Sequence, residues 1–401
     1  MSFFSGVFNT LDNNPAELNV RSFAATMLRL FPNGSFPLWG LLSQQPKSVA
    51  KASTHGYFSK TLMFGASTIN FADDDTDETI VLVSTTGITA GMILYNPRTR
   101  ENFRVLSVTN GTDLEATRSF GRVAAAATLV GDDMVVVGSA FEEGSARPTA
   151  RGMTTVYVPN YTQIFRNAWA VTDTARASLT EAGFGNVQET RKDCSILHSV
   201  EAESAIFFGQ ASAPAAGTTG PLHATQGIYD AIDQYAAANT NTAGATTTFD
   251  ELVTMLEPAF LYSTDMGNSK ERIAFVGATA NRVLNALGRL SGQIVIQQGA
   301  TSFGMRFSSF TFYKGTINIV EHPLFNSNAA FSKLMVVLEL ASIKLAYMNG
   351  RDTKSEEFGG EGKNNAGGSD SVGGSLTTEF AVEYINPFSG CVIEGLTAAA
   401  A

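Results

Sequence analysis

The sequence predicts an α+β protein assembled from parts that follow one another along the chain, and three observations predict it. Short β-branched and aromatic runs broken by glycine corners fill residues 58–140 and return from Phe303. Amphipathic helical runs occupy the middle of the chain. The leading stretch, residues 1–57, is instead crowded with turns. At 401 residues the chain has room for two or three domains of about 150 residues each.

The elements follow in order. Asn13-Asn14-Pro15, Phe31-Pro32-Asn33-Gly34 and Phe36-Pro37 punctuate residues 1–57 around one helical run near Val20–Leu30. Proline fixes its own φ and pushes the preceding residue away from helix, so this part reads as an extended arm. Such an arm cannot bury Phe31, Phe36, Leu38, Trp39 and Leu41 on itself, and they call for a partner surface. Next come the strands Ile80–Val83, Met92–Tyr95, Phe103–Val108, Asp113–Thr117 and Met134–Val137. Asn110-Gly111 is read as a type I′ hairpin joining two of them. Together they make a compact β module or a long two-stranded loop with an inserted β unit.

Helix follows. Asn186 with Glu189 forms a capping-box pattern and Gly209 a stop. The run between them, about 33 Å long at 1.5 Å per residue, carries Cys194, Leu197, Val200, Ser204 and Phe207 as its expected stripe. Thr248 with Glu251 opens a second helix, with Phe249, Leu252, Val253, Leu256 and Phe260 at helical spacing and Pro258 bending its end. Strand Ile273–Val276 leads to a third helix faced by Val283, Leu284, Leu287 and Leu290. Alternation at Met305/Phe307 and Phe310/Phe312 slips phase, which predicts a bulge at Ser308-Ser309. Strands Thr316–Val320, Leu334–Leu340 and Ile343–Met348 come next. Residues 355–374 hold seven glycines and read as a flexible loop. A last strand places Phe380, Val382 and Tyr384 on one side, ahead of Asn386-Pro387 and Cys391–Leu396.

Composition narrows the function classes. Hydrophobic residues are 44% and charged residues 16%, and charge is thus sparser than the roughly 25% of ordinary soluble domains, as suits a surface buried against other subunits. No apolar window reaches the roughly 18 residues of a membrane span, and the N-terminus lacks a secretory pattern. Two distant cysteines, Cys194 and Cys391, give no disulfide framework. The net charge of −10 is uneven: residues 1–70 carry five basic and two acidic groups, +3, leaving −13 for the rest. Overall acidity disfavours a dedicated nucleic-acid binder.

Catalytic patterns are missing. The four histidines are scattered and no CxxC exists, so zinc is not expected. Asp73-Asp74-Asp75-Thr76-Asp77-Glu78 places Glu78 and Ser84 where a calcium loop needs Gly and Glu, and reads as a solvated loop. Gly183-Phe184-Gly185 is followed by Gln188 where a dinucleotide fingerprint needs glycine. With no converging nucleophile, base and orienting group, neither an enzyme nor a cofactor is expected.

One stretch carries a positive signal. Ala140–Thr174 contains Glu143-Gly144-Ser145, then Asn160-x-Thr-Gln-Ile-Phe165, then Val171-x-x-Thr174. It resembles a segment of the major capsid proteins of tailed bacteriophages. Thr117-Arg118-x-x-Gly121 with its Ala-rich continuation, Glu203–Gly209 (ESAIFFG) and the closing TTEFAVEYINPFSGCVIEGL resemble the same family in the same order.

The resemblance implies the Hong Kong 97-type fold: an N-terminal arm (1–57), an extended loop with a β insertion (58–150), a peripheral domain with a long spine helix (151–219, helix about 186–209), an axial domain (220–340) and a return to the peripheral domain (341–401). It implies a shell of hexamers and pentamers around double-stranded DNA, in the virion, after synthesis in the host bacterial cytoplasm. Implied partners are further copies of the chain, a portal protein, a separate scaffolding protein, an optional decoration protein and DNA touched non-specifically, with no membrane. Arm and extended loop are read as lacking cores of their own, so that neighbours shelter them. Candidate inter-subunit contacts are Arg21, Arg29, Trp39, Lys51, Lys60, Arg118 and Glu203. Glu203 is expected to pair with a basic residue of a neighbouring element, and removal of residues 1–40 to leave a folded subunit that cannot close a shell. Another virion or tail protein, or a carbohydrate-binding or carbohydrate-processing protein, are the alternatives; the latter would need paired carboxylates in one cleft.

Overall fold

A computed structural model describes residues 37–60, 66–148, 152, 155–178, 187–213, 220–263, 270–291, 297–302, 305–359 and 370–400. The expected helix Val20–Leu30, Arg21, Arg29 and the Asn186 cap lie outside them.

Helix α1 spans Pro37–Gln44, then strands β1 (Ser48–Ala50) and β2 (Thr54–Lys60). Strands β3 (Ala66–Thr68), β4 (Thr79–Val81), β5 (Met92–Tyr95), β6 (Asn102–Val108), β7 (Asp113–Thr117) and β8 (Asp133–Ser139) follow. After β9 (Thr155–Tyr161) and β10 (Gln163–Thr172) come α2 (Asp173–Ala177), the long α3 (Val187–Phe208) and α4 (Ile228–Tyr235). Then follow β11 (Thr240–Thr242), α5 (Phe249–Leu256), β12 (Glu271–Val276) and α6 (Ala278–Ser291). Strands β13 (Gln297–Ser302), β14 (Met305–Phe312), β15 (Gly315–Glu321), β16 (Met335–Leu338), β17 (Ile343–Met348), β18 (Lys354–Phe358), β19 (Ser371–Tyr384) and β20 (Cys391–Glu394) complete the chain.

Two compact units result: Phe58–Val158, and the remainder. In the first, six strands form one sheet in the order β3-β8-β5-β6-β7-β4. Its two edges meet through the bridge Ile69↔Leu82, with Asn70 N donating to Val81 O at 2.9 Å and Val83 N to Thr68 O at 2.9 Å. The sheet therefore closes into a small barrel, a size at which side chains fill the interior. Ile69, Ile80, Leu82, Met92, Leu94, Phe103, Val105, Leu114 and Met134 are buried there as one cluster. This corrects the expectation that the inserted segment has no core. Asn110-Gly111 is not a type I′ turn, because neither residue has the positive φ such a turn needs. Instead Asn110 Oδ1 accepts from Thr112 N (2.8 Å) and Asp113 N (2.7 Å), closing a wider loop.

Among the described residues the second unit contains two large sheets, besides part of the two-stranded β2-β9 ribbon. The five-stranded one runs β1-β17-β19-β10, with β18 also paired to β19. The seven-stranded one runs β11-β20-β16-β12-β15-β14-β13. Its central strand β12 is covered on both faces, which is why its second part, Ile273–Val276, reads as a continuous apolar run. Phe275 points into a core with α3, α4 and the five-stranded sheet, while Ala274 and Val276 point into a second core under α5 and α6. The capping box Thr248/Glu251 is present as read from the sequence.

Four details differ from the sequence reading. The buried face of α3 is Cys194, His198, Ala202, Glu203, Ile206 and Phe207. Leu197 is 58% exposed, since a neighbouring stripe one residue over meets the sheet. Leu290 is 55% exposed on the last turn of α6. The strand irregularity falls in β13, between Gln298 and Thr301, while β14 pairs regularly with β15 through Ser308 and Ser309. Residues 354–358 and 371–374 are paired strand rather than loop.

Near the arm, α1 was unread in the sequence, and Leu38 and Leu42 are buried against α3 within their own chain. Proline suits the first helical position, where its missing N–H is no loss. Gly209 ends α3 where a Cβ would lie 2.6 Å from both Ala205 O and Thr225 O, so only glycine lets the 225–227 backbone approach.

Candidate assembly contacts

Among the described residues no group of three His, Cys, Asp or Glu could hold a metal ion, and no helix is long and apolar enough to cross a membrane. Cys194 and Cys391 are buried and unbonded to each other. Burial pushes the Cys391 thiol up to about 12, far from a reactive thiolate. His198 is held between Asn167 Oδ1 (2.6 Å) and Thr378 Oγ1 (2.8 Å), and burial depresses its pKa, so it packs as a neutral ring.

Glu203 occupies the most constrained polar position among the predicted residues. Its side chain is fully buried. Oε1 accepts from Leu38 N at 2.9 Å and Oε2 from Trp39 N at 2.7 Å. These are orphan donors of the first turn of α1, and a negative charge there also suits the helix dipole. Oε1 further accepts from His322 Nε2 at 2.9 Å. His322 Nδ1 accepts from Leu324 N at 3.2 Å, which places the ring proton on Nε2 and lets a neutral imidazole donate to the carboxylate. Phe207, Phe275 and Phe325 enclose the imidazole, with ring centroids 5.0, 5.8 and 4.9 Å away. Glu203 does find a histidine on a neighbouring element, as expected, but that element is its own. Thus α1, α3 and the turn after β15 are tied at one carboxylate.

Trp39 is half-buried beside this anchor, its indole N–H donating to Tyr347 Oη at 3.4 Å. Lys47 pairs with Asp352 at 2.6 Å and lies 4.7 Å over the Tyr347 ring. Lys51 and Lys60 are exposed. Arg118 is turned inward: it grips Glu101 in two bonds of 2.9 and 3.0 Å and donates to the carbonyls of Asp74 and Ala126 at 2.6 and 2.7 Å. Burial would raise the pKa of Glu101, but Arg118 and the N–H groups of Ser119 and Ala126 outweigh it and hold the carboxyl below its ordinary range. Arg118 and Glu203 are therefore occupied inside the chain and leave no free group for a neighbour.

Sequence reasoning missed other residues. Arg272 is 1% exposed and donates to Ser389 O (3.2 Å), Ala259 O (3.3 Å) and Tyr262 O (3.0 Å), 3.6 Å from Glu339. A groove of about 380 Å³ lies on the five-stranded sheet, lined by Ile164, Arg166, Arg351, Lys354, Glu356 and Thr377. Only register could have found it, because pairing Arg166 and Lys354 to the same Thr377 is invisible in a linear chain.

Comparison with known proteins matches residues 5–397 to the family model described as SU10 major capsid protein. A major capsid protein of Pseudomonas phage PaMx41 is 47% identical over 410 residues, covering 99% of this chain and 97% of that protein. Similar solved structures include the capsid of cyanophage P-SCSP1u (10% identity, TM-score 0.48, 99% of each chain). Another is the holo-SrpI encapsulin complex from Synechococcus elongatus PCC 7942, with 9% identity and a TM-score of 0.43, covering 62% of this chain and 80% of that one.

Proposed function

This chain belongs to the SU10 major capsid protein family, and on that premise we propose that it builds a tailed-phage head by Hong Kong 97-type assembly, as hexamers and pentamers of one subunit around double-stranded DNA. The observation that carries the reading is the breadth of the kinship, 47% identity across nearly the whole of both chains. A subunit of a shell works by contact, and in this reading the chain has no catalytic role.

The architecture supports a matching division of labour. Of residues 1–57, read as the arm, 37–50 are packed into the body through α1 and β1, so 1–36 serve as the arm; 58–150 serve as the extended loop with its β insertion, 151–219 as the peripheral domain around α3, 220–340 as the axial domain, and 341–401 as the return. Glu203 fixes the point from which residues 1–36 depart. Among the candidate contacts, Lys51 and Lys60 are free to reach a neighbour and Trp39 flanks the anchor, whereas Arg118 and Glu203 act indirectly by holding the surfaces in shape. A portal protein, a separate scaffolding protein, a decoration protein and non-specific DNA contact complete the proposed partners. Electron microscopy of the expressed chain tests the reading: closed shells or capsomers are expected, while tubes, rings or dispersed monomers would overturn it.

A further inference from the structure

Two surfaces of this chain are opposite in charge, and each carries an exposed apolar side chain. The first is the groove on the five-stranded sheet. Strand β10 turns Phe165 and Asn167 toward α3, so Ile164 and Arg166 lie on the opposite face. Register aligns Arg166, Thr377 and Lys354 in one row and Ile164 with Glu379 in the next. Arg351 reaches Glu379 Oε2 at 2.8 Å; the carboxylate is 5% exposed and the arginine 46%, so the carboxylate is neutralised at the floor while the guanidinium stays near the surface. Arg166 and Lys354 stay exposed with no ion-pair partner among the described residues. Ile164 is 46% exposed beside them. The groove thus has an apolar wall and a cationic rim, with Glu356 the single exposed carboxylate in its lining.

The second surface is one end of the barrel. Gly131 N donates to Ile69 O at 2.8 Å and Thr128 N to Asp73 O at 2.9 Å, laying residues 69–73 antiparallel beside 128–131. Phe71, Leu129 and Val130 are thereby brought together while 66%, 54% and 64% exposed. Large apolar residues exposed singly are ordinary; three grouped on a backbone-fixed end mark a contact. Directly after Phe71 come the exposed carboxylates of Asp74, Asp75, Asp77 and Glu78. Arg98 and Arg118, which bond to the Ala127 and Asp74 carbonyls adjoining these segments, are committed to Asp132 and Glu101.

We propose that the acid-flanked apolar barrel end of one copy docks in the Ile164 groove of a second copy, with Phe71 against Ile164 and the Asp74–Asp77 carboxylates on Arg166 and Lys354. The proposal rests on the shell-building reading and names one of its contacts. Complementary charge beside the exposed apolar Ile164 favours the acid-flanked apolar end of a copy of this chain over a polyanion, which would gain nothing from Ile164. Because the two surfaces differ, every copy can use both at once, and the contact is head-to-tail, the type that propagates into rings.

The test uses full-length chain under conditions where the wild type assembles, with particle yield read by electron microscopy and sedimentation. R166E/K354E and D74K/D75K should each cut yield about tenfold or more, with unchanged circular dichroism and melting, as expected where like charges oppose across an interface. Combining all four should restore yield to within about threefold of wild type, because the charge pairs are re-formed in the opposite sense. A second measurement does not depend on charge reversal being tolerated: F71C/I164C should give intermolecular disulfide-linked chains on oxidation of particles, and none in dissociated subunits. Normal assembly of both reversed pairs, absence of rescue, or absence of cross-linking in assembled particles overturns the docking. Normal assembly of R166E/K354E with reduced DNA retention would assign the groove to nucleic acid instead. Failure of the wild type to form any particle would refute the shell-building reading itself.

Discussion

Single side chains set the geometry from which the rest follows. Replacing Glu203 by Ala would leave Leu38 N, Trp39 N and His322 Nε2 without their acceptor in a dry site, and should cost about 3 kcal/mol or more in denaturant unfolding. Glu203→Gln keeps the volume but loses the charge, so hydrogen exchange should rise first at the start of α1. Unchanged exchange there would remove Glu203 as the arm's anchor. Two acids in the barrel titrate in opposite directions. Asp132 is bonded by Arg98, which holds its carboxyl well below the usual range, so its contribution is present above the ordinary carboxylate pKa and is lost as pH falls. Burial raises Asp73, whose Oδ2 has no partner among the described residues; its charge weakens the fold as pH rises through the raised value. Asp132→Asn should therefore lower melting at pH 7 and flatten the acid limb, whereas Asp73→Asn should leave melting at pH 7 equal or higher. The sequence could single out Glu203, on a recognisable helix end, but not its partners, which lie 165 and 119 residues away.

Elements were legible wherever local pattern alone determines them. The Thr248/Glu251 cap, five of the six barrel strands and the strand Ile273–Val276 were readable, since capping and short β-branched or aromatic runs leave marks within a few residues, whereas the three-residue β3 was not. Closure of the barrel was not, because Ile69↔Leu82 joins the first and last strands of the sheet. Nor was the α3 stripe: with cysteine, histidine and glutamate on its buried face, polarity no longer distinguishes inside from outside. Helix α1 was hidden by its neighbouring Pro and Gly residues, which read as turns. Leu94→Ala, at a site with no exposure in the barrel, should cost about 2–5 kcal/mol by cavity formation, measured by urea unfolding of the barrel. Gly209→Ala should cost about 1–3 kcal/mol, because the added methyl meets two carbonyl oxygens at 2.6 Å.

For the whole molecule, the anchor changes how the arm must be probed. Cutting residues 1–40 would remove Leu38 from the core and strip Glu203 of both helix donors, so loss of shells would then report misfolding as much as a missing arm. A cut after Phe36 spares both. That variant should melt as the full chain does, yet fail to close shells in electron micrographs; normal shells would deny the arm its role. The division into two compact units has another consequence. All residues of the barrel's apolar centre come from one uninterrupted hundred-residue stretch, and its sheet closes on itself. Mutations inside it need no matching mutation in the two-sheet body to keep that body's interior filled. A lineage can therefore diversify, trade or discard this stretch as a cassette while the body's own interior packing is inherited unchanged.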